Sequence, residues 1–561
     1  MARDRTDKAQ AGKAAEAHFH RGEALHARGR LAEAAASYRQ CLALAPNFAP
    51  AHNNLAMALH ALGRPEEALA GAGRALAIDP SFALAHSMRG IALQTLGRTE
   101  EAVASFRQAL ALQPSLAAAR NNLGTALMAQ GLAAEAAAEY RRALDLQTGY
   151  LLARSNLLMA LQYDPEISPD ALFEEHKIYG KMAGSAAARH ENARDPGRRL
   201  RLGYVSPDLR RHPVGYFLAP VLAHHDRANF DVACYYGFGQ EDDVTQALKR
   251  DAGTWRSTLG LGDKALAARI REDGIDILVD LAGHTANNRL PVFALRPAPV
   301  QTSWAGYVGT TGLETMDYLV TDRWESPPGG ESYAVEKLAR LPDGYVCYAP
   351  PDYAPAVGPL PAGETGAITF GCFNNLAKIN ARVIALWAEV LRALPEARLV
   401  LKNKELREGS ARRRLHEAFA AKGVNGKRVV LEGPSPHREL LARYNGIDIA
   451  LDPFPYSGGL TTLEALWMGV PVVTRGGATF AARHSLSHLN AAGLGTLVAA
   501  DEGGYVAGAL ALARDRERLG ALRRGMRARL KDSPVTQAER FTRNLETAFR
   551  AMWKDWCGRG R

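Results

Sequence analysis

The pattern of apolar and polar residues divides the chain into two kinds of region. From residue 15 to about 165, small and apolar side chains recur at the spacing of an α-helix. From residue 200 onward, short and nearly continuous apolar runs alternate with amphipathic segments of helical period. The first pattern predicts packed helices. The second predicts parallel β-sheets that are covered by helices on both faces.

The helical region is built from a repeat of 34 residues. A glycine recurs at this interval, and the pair Glu-Ala follows four positions after each one, at Gly29, Gly63, Gly97 and Gly131. Proline keeps the same period at Pro46, Pro80 and Pro114. Each unit is therefore predicted to be two antiparallel helices joined by a tight glycine turn. The pattern resembles the tetratricopeptide repeat, with four units and a partial fifth in residues 15–165.

Three asparagines share one position of the repeat. They are Asn54, Asn122 and Asn156, and Met88 is the exception. Arrays of this kind stack into a superhelix whose concave face can bind an extended peptide. The three amides could therefore bind the backbone of a protein partner. The alternative is that they only stabilise the packing between repeats.

The remaining chain is predicted to form an α/β enzyme-like region in two halves. A loosely patterned linker, residues 166–199, precedes a first half of five predicted strands, residues 200–350. A proline-rich spacer, 351–365, separates it from a second half of six predicted strands, 366–535. An amphipathic helix, 536–557, ends the chain and is long enough to pack back on the first half.

Ligands of parallel sheets bind beyond the carboxyl ends of the strands, so the residues that follow each strand are the candidates. In the first half, His212 precedes Pro213 at a predicted helix start, where it could exchange a proton near neutral pH. Asp280 and His284 follow a later strand. All three are candidates for binding or activating an acceptor hydroxyl, although a lone histidine is more often structural.

The second half contains a βαβ segment, Ile447 to Thr474, with Gly458 and Gly459 between the strand and a helix predicted to begin at Thr461. Adjacent glycines let backbone N–H groups approach a ligand, and a helix N-terminus favours an anion. We therefore predict a diphosphate site. Glu464, one turn into the helix, would suit ribose hydroxyls. The alternative is an ordinary βαβ crossover.

A lysine lies after the first strand of the same half. Asn375 and Lys378 follow that strand, and His437 and Arg443 follow the third. A lysine beside glycines suits a departing diphosphate, because negative charge develops on its oxygens. The alternative for Lys378 is a solvated loop lysine. No DxD-like pair, GxxxxGK[ST] or GxGxxG motif stands at these strand ends, so we predict no metal site, P-loop or standard dehydrogenase.

The composition limits the kinds of partner and site that are expected. The net charge is +10, but 69 basic and 59 acidic residues are mixed along the chain, which does not favour a nucleic-acid partner. The five cysteines form no CxxC pair, so no disulfide framework or zinc site is expected. There is no apolar run of membrane-spanning length and no signal peptide at the N-terminus. We expect a cytoplasmic protein without a membrane partner.

Two Rossmann-like halves facing across a cleft, with a diphosphate site in the second, look like a GT-B glycosyltransferase. The segments RLGYVSPDLRRHPVGYF, GIDILVDLAGHTANNRL, FGCFNNLAKIN and LDPFPYSGGLTTLEALWMGVPVVT resemble the tetratricopeptide-linked protein O-glycosyltransferases, the O-GlcNAc transferase and SPINDLY family. Segments such as HTANN and FNNLAKI are closer to the SPINDLY branch. The expected fold is thus a helical repeat superhelix followed by a GT-B enzyme.

The resemblance implies roles for the residues of the second half. Lys378 would neutralise the departing diphosphate, and Asn375 would line the donor site. The remaining donor residues would be Thr461 and Thr462 for phosphate, Glu464 for ribose, and His437 and Arg443 for the base. His212 falls at the family's active-site histidine, but the general base stays open between His212, Asp280 and His284.

The resemblance also implies the reaction. The family is inverting and metal-independent and attaches one sugar to Ser or Thr hydroxyls of proteins, with a nucleotide sugar as co-substrate and no further cofactor. We favour UDP-GlcNAc as the donor, with GDP-fucose as the alternative. A second alternative is a non-catalytic repeat scaffold that senses a nucleotide sugar. Protein substrates would bind along the repeats. The repeats could also form a homodimer interface.

Overall fold

A computed structural model describes the backbone of residues 2–559 and the side chains of residues 10–559. The chain forms two compact units, one extending to Leu157 and the other beginning at Leu158. The first unit is helical and the second is α/β, as predicted.

The first unit consists of antiparallel helix pairs. Within its described residues, each pair is joined by a turn whose glycine has a left-handed φ of 72° to 76°, a conformation that glycine adopts without strain. The helices are α1 (Ala2–Ala27), α2 (Leu31–Leu44), α3 (Ala49–Ala61), α4 (Pro65–Ile78), α5 (Ala83–Thr95), α6 (Thr99–Leu112), α7 (Ala117–Ala129), α8 (Ala133–Leu146) and α9 (Leu151–Leu161). The chain thus contains four helix pairs followed by one further helix, with turn glycines at the 34-residue interval.

A small residue on the first helix of each repeat packs against the second helix. A Cβ added to Gly90 would lie 2.6 Å from the Phe106 ring, and one on Gly124 would lie 2.6 Å from the Tyr140 ring. The equivalent positions of the second repeat are Ala56 and Ala72, both fully buried. A large ring on the second helix is therefore matched by a glycine on the first, whereas the second repeat has two small buried residues at these positions.

The second unit contains two parallel sheets. The first has the strand order β3-β2-β1-β4-β5-β6-β7 and the second has β10-β9-β8-β11-β12-β13. The strands are β1 (Leu200–Ser206), β2 (Phe230–Tyr236), β3 (Thr254–Ser257), β4 (Ile277–Asp280), β5 (Val300–Ser303), β6 (Tyr318–Asp322), β7 (Lys337–Leu341), β8 (Thr369–Cys372), β9 (Arg398–Lys402), β10 (Val429–Glu432), β11 (Ile449–Leu451), β12 (Val472–Arg475) and β13 (Val498–Ala499).

Helices cover these sheets. They are α10 (Pro169–Ala183), α11 (Pro213–His224), α12 (Asp243–Asp251), α13 (Asp263–Glu272), α14 (Leu290–Ala294), α15 (Pro361–Thr365), α16 (Ala381–Ala393), α17 (Gly409–Ala420), α18 (His437–Arg443), α19 (Leu460–Trp467), α20 (His484–Ala491), α21 (Glu502–Arg514), α22 (Arg516–Asp532) and α23 (Ala538–Gly558). The doubly covered parallel sheets confirm the predicted fold class.

The eleven predicted strands are present, and the sequence pattern missed two more, β3 and β7. Both are edge strands of the first sheet, and most of their residues are partly or fully exposed. An edge strand needs no continuous apolar run, because one side of it faces solvent. The prediction relied on such runs and therefore passed over both strands.

The last helix packs on the first half, as its amphipathic pattern predicts. Phe541 of α23 stacks on Trp304 with ring centroids 6.0 Å apart, and Glu546 accepts a hydrogen bond from the buried His225 at 3.0 Å. Phe549 and Trp553 are fully buried in the same core. Helix α23 therefore completes the hydrophobic core of the first half of the second unit.

Candidate active site

A buried lysine lies beyond the first strand of the second sheet. Lys378 follows β8 and is 9% exposed. Its ammonium Nζ donates to the Ser457 carbonyl at 2.7 Å and to Asn374 Oδ1 at 3.3 Å, and it lies 3.9 Å from the centre of the Tyr456 ring. Ser457 and Tyr456 belong to the glycine-containing loop that precedes α19. The structure thus brings Lys378 to the loop predicted to bind an anion.

Asp452 fixes the shape of that loop. Its Oδ1 accepts from the Gly458 N–H at 2.7 Å, and its Oδ2 accepts from Thr474 Oγ1 at 2.7 Å. A Cβ on Gly458 would lie 2.8 Å from Asp452 Oδ1, so a side chain does not fit there. A Cβ on Gly459 would meet no heavy atom within 4 Å. The loop is therefore rigid at Gly458 and has open space at Gly459, directly before the N-terminus of α19.

The two threonines at the start of α19 are already hydrogen-bonded. Thr461 Oγ1 donates to Asn374 Oδ1 at 2.9 Å. Thr462 Oγ1 lies 2.7 Å from Ser485 Oγ, which itself donates to the Gly458 carbonyl at 3.0 Å. A phosphate at this helix terminus would be bound by the free N–H groups of the first turn, and the hydroxyls would have to rotate to contribute.

Burial opposes charge on both ionisable groups beneath the loop. It lowers the pKa of Lys378 to about 8, and the nearby Asp452 only partly reverses this. Burial likewise raises the pKa of Asp452, against the hydrogen bonds it accepts and the charge of Lys378. An anion next to Lys378 would favour the ammonium form. The site therefore gains a full positive charge most readily when an anion occupies it.

Hydrogen bonds and a ring contact connect side chains of the two halves near the ribose candidate. Glu464 is 4% exposed, and its Oε1 accepts from His437 Nε2 at 2.7 Å. The other ring nitrogen, Nδ1, lies 2.7 Å from the Tyr353 hydroxyl. The His437 ring also stacks on that of Tyr216 of α11, with centroids 5.5 Å apart. His437 and Glu464 are thus brought together.

Arg443 and Asn375 form hydrogen bonds with residues outside the His437–Glu464 pair. Arg443 Nε donates to both carboxylate oxygens of Glu432, at 2.9 and 3.1 Å. No hydrogen bond joins Arg443 to His437 or Glu464 within residues 10–559. Asn375 is exposed, and its Oδ1 accepts from the Ala377 N–H at 2.9 Å. The arginine is therefore held at the end of β10, and the asparagine shapes the turn that presents Lys378.

His212 is the N-cap of α11. Its Nδ1 accepts from the Val214 N–H at 3.4 Å and lies 3.8 Å from Asp208 Oδ2. The imidazole side chain is 36% exposed. Burial lowers its pKa, with Asp208 acting in the opposite direction. His212 is therefore neutral at pH 7 and able to accept a proton.

Asp280 and His284 are enclosed. Asp280 Oδ1 accepts from the Ala282 N–H at 3.1 Å, and Oδ2 accepts from the Gly283 N–H at 2.8 Å and Ser303 Oγ at 3.1 Å. Burial raises the pKa of Asp280 to about 6. His284 is 1% exposed and donates from Nε2 to the Thr311 carbonyl at 2.9 Å. Of the three base candidates, His212 alone is half-exposed.

Sequence reasoning missed several residues of this site. Asp452 directly follows β11, so the rule about strand ends that selected Lys378 would have selected it too. Tyr456 and Ser485 gave no signal, because an aromatic residue in a loop and a serine in a helix are common. Tyr353 lies in the proline-rich spacer and Tyr216 on a helix, and only the folded chain brings them to His437.

The repeat asparagines are partly engaged within the first unit. Asn54 and Asn122 each accept a weak hydrogen bond from the preceding asparagine, at 3.3 and 3.4 Å. Asn156 donates to Asn121 of the preceding repeat at 2.8 Å. All three are half-buried. Asn156 thus stabilises packing between repeats, and Asn54 and Asn122 keep partly accessible amides.

Two other kinds of site are absent from the described residues. No group of three or more His, Cys, Asp or Glu side chains there could hold a metal ion. Among the described helices, none has the length and apolar character needed to cross a membrane.

Comparison with protein families matches this chain to two of them. Residues 176–349 and 360–545 match the family model "Glycosyl transferase family 41". Residues 22–63, 49–82 and 87–150 match models of the tetratricopeptide repeat. The two families therefore account for the two units of the chain.

Two plant proteins are similar in sequence to this chain. The chain is 43% identical over 409 residues to a probable UDP-N-acetylglucosamine–peptide N-acetylglucosaminyltransferase SPINDLY of Oryza sativa subsp. japonica, covering 71% of this chain and 44% of that protein. It is 32% identical over 377 residues to the probable enzyme of the same activity named SEC of Arabidopsis thaliana, covering 64% of this chain and 38% of that protein. The chain thus spans less than half the length of these plant relatives.

A solved structure is similar over most of the chain. It is that of a mutant O-GlcNAc transferase of Thermobaculum terrenum, with a TM-score of 0.87 and 40% sequence identity. The match covers 91% of this chain and 98% of that one.

Proposed function

Since the chain belongs to glycosyl transferase family 41, we propose that it transfers a single sugar from a nucleotide donor to Ser or Thr hydroxyls of proteins. The observation that carries the proposal is Lys378, a buried ammonium beside the loop before α19 whose hydrogen-bond acceptors are neutral oxygens. A buried cation with neutral partners suits an anion that arrives with the substrate.

The donor is proposed to lie across the second half. Its diphosphate would meet the N–H groups at the start of α19 and the ammonium of Lys378. Glu464 would bind the ribose hydroxyls, and His437 would flank the base. His437 now donates to Glu464, so donor binding would replace this contact with one from the ribose. Arg443 is bound to Glu432 and would need to change partners to reach the base.

The reaction is proposed to be a direct displacement with inversion. The acceptor oxygen bonds to the anomeric carbon while the bond from that carbon to the diphosphate oxygen breaks, and its electron pair leaves with the diphosphate. Lys378 stabilises the charge that develops there, which a metal ion does in other enzymes. His212, neutral and half-exposed, is the proposed acceptor of the hydroxyl proton.

We propose GlcNAc from UDP-GlcNAc as the transferred group, with fucose from GDP-fucose as the alternative. Relatives of both the SPINDLY and the SEC type carry the name of an N-acetylglucosaminyltransferase, which supports the first donor. The accessible amides of Asn54 and Asn122 support the repeats as the binding region for protein substrates.

Intact-mass spectrometry of proteins incubated with the purified full chain tests the proposal. The expected result is the addition of one N-acetylhexosamine with UDP-GlcNAc, and one deoxyhexose with GDP-fucose would establish the alternative donor. A protein that binds a nucleotide sugar, detected by a rise in thermal stability, yet modifies nothing with either donor would instead be a scaffold.

A further inference from the structure

The aromatic ring of Tyr456 lies against the ammonium of Lys378. The Lys378 Nζ is 3.9 Å from the centre of that ring, well inside the distance of about 6 Å at which a cation and an aromatic face attract each other. The face carries the negative part of the ring's quadrupole, so it stabilises a positive charge without a formal negative one. Tyr456 is therefore a third partner of the ammonium, besides the two neutral oxygens of Ser457 and Asn374.

Neighbouring rings hold Tyr456 in this position. The Tyr163 ring packs against it with centroids 5.1 Å apart, and the His484 ring meets it edge-on at 5.8 Å. Both neighbours are buried. Among residues 10–559, the Tyr456 hydroxyl has no hydrogen-bond partner. The contacts of this side chain are thus contacts of its ring.

The other ionisable side chains near Lys378 leave its charge only partly balanced. Asp452 favours the ammonium, but burial raises the pKa of Asp452 too. Burial raises the pKa of Cys372 to about 12 and lowers that of His484 well below its ordinary value, so both are neutral at pH 7. A buried cation is costly unless its surroundings stabilise it. The face of Tyr456 therefore offsets part of this cost before an anion arrives.

We propose that Tyr456 is the positioning residue of Lys378, whose ring face keeps the ammonium charged and beside the loop before α19 while no anion is bound. The inference rests on the proposed role of Lys378 at the departing diphosphate, and it adds the residue that prepares the cation for that role. Because the ring and not the hydroxyl carries the effect, phenylalanine should replace Tyr456 and an aliphatic residue should not.

The pKa of Lys378 in the free full chain tests the proposal without any substrate. It is measured by NMR on protein containing lysine labelled with ¹³C at Cε, and the Lys378 signal is assigned by its loss in Lys378→Arg. Tyr456→Leu should raise the acid dissociation constant of the ammonium about tenfold, because a desolvated cation–π contact is lost. Tyr456→Phe should keep the wild-type value. An unchanged constant in Tyr456→Leu, or equal changes in both variants, would overturn the proposal.

Stepwise fluorination of the ring separates its electrostatics from its packing. Phenylalanine with zero, one, two or three fluorine atoms is incorporated at position 456, since fluorine withdraws electron density from the ring face and changes its shape little. The acid dissociation constant of Lys378 should rise with each fluorine. The same series at Phe454 is the matched control, because that buried ring of the same loop lies against Arg475. No trend at position 456, or an equal trend at Phe454, contradicts the assignment.

The pH profile of sugar transfer gives a second measurement. The value of kcat/KM for the donor follows the free enzyme, in which burial lowers the pKa of Lys378 to about 8. Wild type and Tyr456→Leu should therefore agree at pH 6 and differ about tenfold at pH 9, where the ammonium is scarcer in the variant. Tyr456→Phe should follow the wild type. A loss in Tyr456→Leu that is the same at every pH would show a packing defect and refute the positioning role.

Circular dichroism and thermal unfolding establish that each variant is folded. If Tyr456→Leu does not fold, the fluorinated series still decides the question, because it preserves the packing of the ring. If the chain transfers no sugar with any donor, the proposed function fails, and the pKa of Lys378 in the same series still confirms or refutes the role of Tyr456.

Discussion

The two sheets of the second unit are both parallel, but two buried ionisable residues at their strand ends, Asp280 and Lys378, are used differently. In the first sheet, Asp280 accepts three hydrogen bonds from its own turn and from Ser303. In the second, Lys378 forms no ion pair with any described residue and donates to neutral oxygens. A buried charge whose partners are supplied by the chain is structural, whereas one with neutral partners has capacity left for a ligand. Burial alone does not separate these two cases.

The largest effect is expected from removing the unpaired lysine. Lys378→Ala should lower kcat for sugar transfer by about 10³-fold, because the charge on the departing diphosphate loses its partner. Lys422→Ala is the matched control, since that lysine is exposed and its removal should leave kcat within about twofold. Turnover is measured by intact-mass spectrometry on a protein that the wild-type chain modifies. Near-normal turnover of a folded Lys378→Ala variant would refute the role of Lys378.

Two histidines of the first half, His212 and His284, extend the comparison. His212→Ala should lower kcat by about 10²-fold, the usual contribution of a general base. His284→Gln should lower stability and leave kcat per folded molecule unchanged, because the His284 ring is enclosed and bonded to the Thr311 carbonyl. Initial rates and thermal unfolding of both variants distinguish the roles. A larger loss of kcat in His284→Gln would move the base to His284.

The fold could be predicted from the sequence because its signals are periodic. Local residue preferences place a glycine at each repeat turn and an apolar run at each buried strand. The structure has turns and strands at these positions. The two missed strands, β3 and β7, are half-exposed edges that lack this signal. The resemblance to known proteins gave the family, which the comparisons confirm.

The site was predictable only where a residue follows a strand. Lys378 and His437 were selected because they follow strands, and Glu464 because it lies in the helix after the glycine loop. The contact between His437 and Glu464 was not foreseen. Tyr353 could not be found, because its role depends on the path of the spacer between the two halves. Whether a strand-end residue is satisfied by its own turn, as Asp280 is, also depends on geometry that spacing does not reveal.

Asp280 should make the protein less stable as the pH rises. Its folded-state pKa of about 6 lies above the unfolded value of 3.8, so folding favours its protonated form. The contribution of that form is fully present below about pH 4 and is lost as the pH rises through 6, by at most about 3 kcal/mol. Chemical denaturation of the wild type and of Asp280→Asn between pH 4 and pH 7 measures it. A stability difference between the two that does not change with pH would contradict the assignment.

The smallest predicted effect concerns the pH dependence of nucleotide binding. Burial lowers the pKa of Lys378 to about 8, so in the free protein the ammonium is lost as the pH rises through that value. A diphosphate beside it stabilises the ammonium, and above pH 8 binding must therefore take up a proton. We expect the affinity for UDP or GDP to fall up to about tenfold between pH 8 and pH 9 in the wild type. Lys378→Arg should bind with a nearly constant affinity over this range, because arginine stays charged. Calorimetry in two buffers of different ionisation enthalpy measures the proton uptake directly, and a wild-type affinity as flat as that of Lys378→Arg would mean that the diphosphate does not contact Lys378.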